Sequence, residues 1–131
     1  MIRPRVLLAD DHPALLEATT ALLTPAFDIV GTAVDGASLV SEALRLCPDV
    51  IVADITMPIL SGIEAAHRLH EAALGAKFVF LTIHSEEPFV EACLAEGALG
   101  YVVKSHMKAH LIAAIRAALI GESYISPLVA K

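Results

Sequence analysis

The chain has 131 residues, 56% of them apolar, with 15 acidic against nine basic side chains and a net charge of −6. That is the length of one domain with a substantial core, and no apolar run reaches the ~18 residues of a membrane span. No basic cluster exists to track a phosphate backbone, and the stretch from Met1 to Val6 lacks the apolar segment and cleavage site of a signal peptide, so a cytoplasmic location is expected.

In chain order, Arg5 to Ala9 reads as a first strand that ends at Asp10-Asp11. His12-Pro13 opens a helix to about Leu23, with proline in the first turn, where its missing N–H costs nothing. Asp28 to Val34 is a second strand. Asp35-Gly36 then turns into a helix from Ala37 to Leu46, with Leu39, Ala43 and Leu46 at helical spacing. Val50 to Ala53 is a short apolar run between Pro48 and Pro58, the pattern of a strand buried on both faces. It runs into Asp54.

A loop from Pro58 to Gly62 follows, and Ser61 with Glu64 has capping-box spacing for a helix to about Leu74. Lys77 to Thr82 is a fourth strand. Ser85 is placed to cap a helix with Pro88 in its first turn and Gly97 as its stop. Leu99 to Val103 is a fifth strand ending at Lys104, and a last helix runs from about Met107 to Ile120. Alternating strands and helices with apolar strands imply a single doubly wound α/β domain, its five-stranded parallel sheet covered on both faces. The expected order is 2-1-3-4-5, the flavodoxin-like (βα)5 arrangement.

The residues closing the strands carry the chemistry. The first strand ends in Asp10 and Asp11, the third in Asp54, the fourth in Thr82 and the fifth in Lys104. In that order these four strands are neighbours, so the five side chains face one crevice at the carboxyl ends, where open α/β sheets bind ligands. Each alone is as readily a helix cap. Together, three carboxylates call for a hard divalent cation such as Mg2+. Lys104 supplies a compact positive charge and Thr82 a hydroxyl. The set describes phosphoryl transfer to the carboxylate of Asp54.

The acidic pair Asp10-Asp11, Asp54 followed by Met57-Pro58 and Gly62, Thr82, and Tyr101 three before Lys104 resemble the receiver domain of two-component response regulators over essentially the whole chain. Asp10-Asp11-His12-Pro13 and the Gly-x-x-Tyr-Ile-Ser-Pro run at 121–127 are similar to the NarL/FixJ (LuxR-type) subgroup. The resemblance implies that Asp54 accepts phosphoryl from a histidine kinase, a histidine phosphotransfer protein or a small phosphodonor. It implies that Asp11, Asp54 and the Thr56 backbone carbonyl bind Mg2+ directly, with Asp10 acting through water. Thr82 and Tyr101 would be the switch pair, with Lys104 binding phosphoryl. The product would be a change of shape and not a released molecule, so the chain is expected to be a signalling phosphoacceptor and no enzyme. A receiver at 1–120 would lead through an exit segment at 121–131 to a helix-turn-helix output domain outside this chain, the sole route to DNA; the alternative is a stand-alone receiver acting by protein–protein contact.

Several residues leave two readings open. Ile83 stands where relatives carry a small residue, and either narrows access to Asp54 or packs outward. Tyr101 is a switch aromatic or an edge-strand tyrosine with its hydroxyl in water. His84 reads as an exposed loop histidine, and His12 as a helper in capping the first helix. The pairs His67/His70 and His106/His110 fall on helix faces and lack a third metal ligand. Cys47 and Cys93 are expected as buried or half-buried thiols without a disulfide. The fifth helix is apolar almost all round, which suggests a homodimer through it or a wide core stripe. A small Mg2+-dependent phosphotransferase or phosphatase is the competing activity. Such enzymes want a second acidic residue two after the nucleophile, and Thr56 stands there. A receiver-like module that takes no phosphate would lack one of the set.

Overall fold

The structure is a computed structural model that describes residues 3–84 and 87–126. The strands are β1 (Arg5–Ala9), β2 (Asp28–Ala33), β3 (Val50–Ala53), β4 (Lys77–Thr82), β5 (Gly100–Val103) and β6 (Tyr124–Ile125). The helices are α1 (Pro13–Leu23), α2 (Gly36–Leu46), α3 (Gly62–Glu71), α4 (Glu87–Ala95) and α5 (Met107–Leu119). All strands are parallel, in the order β2-β1-β3-β4-β5-β6.

Strand residues alternate between two cores because successive side chains point to opposite faces. Leu7, Ile51, Phe80 and Tyr101 join Leu39, Leu69 and Cys93 from α2, α3 and α4 on one face. Leu8, Val52, Leu81 and Val102 join Leu23 of α1 and Leu111 and Ile115 of α5 on the other. All four residues of β3 are buried, as a central strand between two helical layers requires. No helix among the described residues is long and apolar enough to cross a membrane.

The sheet departs from expectation at one edge. Five strands were expected, and a sixth pairs with β5 through Tyr124 N–H to the Leu99 carbonyl and Ser126 N–H to the Tyr101 carbonyl, both 2.8 Å. Tyr124 and Ile125, within the expected exit segment, therefore pair with the sheet. Two residues are too few for any periodicity to announce them. Helix α3 also stops three residues before Leu74. The chain turns through Ala73 at φ 60°, and the Leu74 N–H bonds the Leu69 carbonyl at 3.0 Å, folding Leu74 back onto the core. Ser85, the expected cap of α4, lies outside the described residues, as does Pro127 of the run at 121–127.

Helix α5 spends most of its apolar surface within the monomer. Leu111, Ala114, Ile115 and Ala118 are buried, and Ile112 and Leu119 are packed against the same core. Ile120 is left 72% exposed just past its end. Of the two cysteines, Cys93 is buried as expected and Cys47 is exposed. Cys47 caps α2 in the left-handed conformation, which carries its side chain off the core.

Candidate functional site

The ladder hydrogen bonds of the sheet run on into the two central carboxylates. The Asp10 N–H donates to the Ala33 carbonyl and the Asp54 N–H to the Ala9 carbonyl, each at 3.0 Å. Asp10 and Asp54 are thus held by backbone as the residues just past β1 and β3, and both are buried. Behind Asp54, the Gly62 N–H bonds the Ile55 carbonyl at 2.7 Å. A side chain at Gly62 would run into the Asp54 carbonyl oxygen, so the first turn of α3 approaches the site closely only because residue 62 has no Cβ. Ser61 caps the same helix by accepting from the Glu64 N–H at 3.1 Å, as its spacing predicts.

Lys104 follows β5 directly and reaches across to both buried carboxylates. Its Nζ lies 2.8 Å from Asp10 Oδ2 and 2.9 Å from Asp54 Oδ2. Burial opposes the lysine charge, but hydrogen bonds and Coulombic attraction from Asp10 and Asp54 together outweigh it and hold its pKa above the ordinary value. Lys104 thus answers part of the repulsion among the three acids.

The cluster retains unspent acceptors. Asp54 Oδ1 and Asp11 Oδ1 are buried and, among the described residues, accept no hydrogen bond. His12 Nδ1 sits 3.1 Å from Asp11 Oδ1, outside hydrogen-bonding geometry. Buried, unpaired carboxylate oxygens are costly, and ligand atoms from Asp10, Asp11, His12 and Asp54 all lie within 4.8 Å of one another. This oxygen-rich donor set fits a hard metal ion. His12 was expected to cap α1. It occupies the cap position without a side-chain cap bond, and its ring turns toward Asp10, with Nδ1 3.1 Å from Oδ1.

Thr82 is fully buried at the end of β4, and its Oγ1 accepts from the His84 N–H at 3.2 Å. Tyr101 is also fully buried, and its hydroxyl donates to the His84 carbonyl at 2.8 Å. It is neither on an edge, since β6 flanks it, nor open to water. Ile83 is 73% exposed. Thr56 is exposed on the loop after β3, with Oγ1 3.0 Å from His84 Nε2. The structure therefore brings Asp10, Asp11, Asp54 and Lys104 together, while Thr82 closes the neighbouring strand β4 with its hydroxyl on the His84 N–H.

His84 is the residue that sequence reasoning undervalued. Its ring stacks on Phe89 of α4 with centroids 4.1 Å apart, and it is only part exposed. Nothing in the sequence marks this or its 3.0 Å contact with Thr56, which joins loops that follow two different strands.

Comparison with known proteins follows the same lines. A family model described as the response regulator receiver domain matches residues 6–116. The chain is 36% identical over 129 residues to the response regulator GacA of Pseudomonas viridiflava, covering 97% of this chain and 60% of that protein. It is 35% identical over 123 residues to the nitrate/nitrite response regulator protein NarL of Escherichia coli, covering 92% and 57%. Among solved structures, a two-component response regulator of the LuxR family from Aurantimonas sp. SI85-9A1 superposes with a TM-score of 0.92 at 33% identity, covering 98% of this chain and 93% of that one. The receiver domain of a NarL response regulator from Mycobacterium tuberculosis gives 0.89 at 27% identity, covering 93% and 100%. The chain spans about 60% of the length of the curated relatives it matches first.

Proposed function

This chain belongs to the response regulator receiver domain family, of the NarL/LuxR type, and from that premise we propose that Asp54 is its phosphoacceptor. A carboxylate oxygen of Asp54 attacks phosphorus, the bond from phosphorus to the donor breaks, and the donor leaves with the electron pair. The donor is a histidine kinase, a histidine phosphotransfer protein or a small phosphodonor. The carrying observation is the buried Asp54 with one oxygen on Lys104 and the other unpartnered.

Asp11, Asp54 and the Thr56 backbone carbonyl would hold Mg2+, with Asp10 through water. The cation supplies charge neutralisation between carboxylates and phosphoryl oxygens. Lys104 is set to move from the carboxylates to the arriving phosphoryl group, and the Thr82 hydroxyl to donate to it. Thr82 and Tyr101 form the switch, since two added negative charges draw donors inward and reshape the α4, β5 and α5 side. The changed face controls an output, transcription, through a DNA-binding segment beyond this chain, and the protein pairs as a homodimer in doing so. Similarity to longer relatives described as transcriptional regulatory proteins supports the transcriptional output.

Acetyl phosphate with Mg2+, followed by intact mass, tests the assignment. An adduct of about 80 Da that is absent in Asp54→Asn is expected. Multiple turnover of phosphoesters, or no adduct with any donor, would count against it.

A further inference from the structure

We propose that the His84 side chain is a positioning group, a strut that carries the state of Asp54 to helix α4; this rests on the phosphoacceptor assignment above. The imidazole has two functional ends. Nε2 lies 3.0 Å from Thr56 Oγ1, on the loop that follows β3 and Asp54. Its face stacks on Phe89 of α4, with planes 18° apart. The ring thus bridges the loop after Asp54 and the first turns of α4.

The backbone of the same residue touches the other two switch positions. Its N–H donates to Thr82 Oγ1 and its carbonyl accepts from the Tyr101 hydroxyl. When Thr82 turns its hydroxyl toward a phosphoryl oxygen, the bond to the His84 N–H is disturbed and the residue shifts. A flexible side chain at 84 would absorb that shift. A planar ring held at one end by Thr56 and flat against Phe89 at the other passes it on, because packed aromatic faces resist sliding and tilting. The role needs the ring and its polar edge at once and does not depend on protonation.

Amide hydrogen exchange of residues 87–95, with and without acetyl phosphate and Mg2+, reads this directly. The parent and the variants His84→Phe and His84→Gln are compared, with intact mass run alongside. Phenylalanine keeps the stack and loses the Thr56 bond; glutamine keeps polar reach and loses the stack. The expected result is that all three take the adduct, which also reports that they fold, and that only the parent changes α4 exchange. If either variant changes α4 exchange as the parent does, the backbone contacts suffice and the strut is overturned. A parent that takes the adduct without any change in α4 also overturns it, leaving the phosphoacceptor assignment intact. A parent that takes no adduct overturns that assignment first and the strut with it.

Discussion

Replacing Lys104 by methionine removes the cation that, among the described residues, bridges Asp10 and Asp54 while keeping a side chain of similar length. At 2.9 Å each contact is worth about 6 kcal/mol of attraction at an effective dielectric near 20, most of it offset by the cost of burying the charges. Removing one partner of a buried pair typically costs about 3–5 kcal/mol. The Lys104 side chain keeps 10% of its surface in solvent, which places it at the low end, about 3 kcal/mol. For a domain of this size that corresponds to a melting temperature lower by about 9 °C. Thermal unfolding followed by circular dichroism at neutral pH in EDTA measures the gap. Saturating Mg2+ is expected to narrow it, because the cation offsets the same carboxylates.

The pH dependence has a fixed sign. The folded Lys104 pKa is raised above the ordinary 10.5, so its stabilisation is fully present below the unfolded value and is lost as pH rises through the folded one. The gap between parent and Lys104→Met is therefore flat from neutral to mildly alkaline pH and closes only beyond the ordinary lysine range. A Lys104→Met protein that melts at or above the parent in EDTA would refute the bridging account.

Gly62→Ala pushes a methyl group into the Asp54 carbonyl and is expected to cost about 1–3 kcal/mol in urea titration and to slow adduct formation, since the displaced backbone carries the acceptor. Ile83→Ala is expected to lose phosphoryl at the parent rate, with stability within about 0.5 kcal/mol; faster loss would restore Ile83 as a guard of the site. A disulfide thiol reagent is expected to modify Cys47 alone in the native protein and Cys93 only after denaturation. Cys47 is exposed, whereas burial pushes the Cys93 thiol up to about 12.

The fold was legible because its signals are local and redundant. The run from Val50 to Ala53 declares a buried strand, Ser61 and Glu64 declare a helix start, and Gly97 and Gly121 follow the ends of α4 and α5. The acidic crevice was legible because parallel strands deliver their last residues to one end, so the positions of Asp10, Asp54, Thr82 and Lys104 followed from the strand order. What stayed hidden depends on where side chains turn once the strands are in place. The Lys104 bridge to both carboxylates, the reach of His84 between Thr56 and Phe89, and the turn of His12 toward the acids have no periodic signature. The pair Tyr124–Ile125 became a strand because β5 offered an unfilled edge, and no two-residue pattern encodes a neighbour.

That last pairing settles how the sheet is exposed to other chains. An open edge strand is a template on which a second copy or an unfolded segment adds by backbone bonding. Among the described residues, β6 pairs with Gly100 and Tyr101, so that half of β5 is flanked within the sheet. The opposite rim, β2, presents six residues from Asp28 to Ala33. Unwanted strand addition between copies is therefore directed to β2, away from Tyr101 and its switch neighbours. A variant whose β6 is detached would open a second rim beside them.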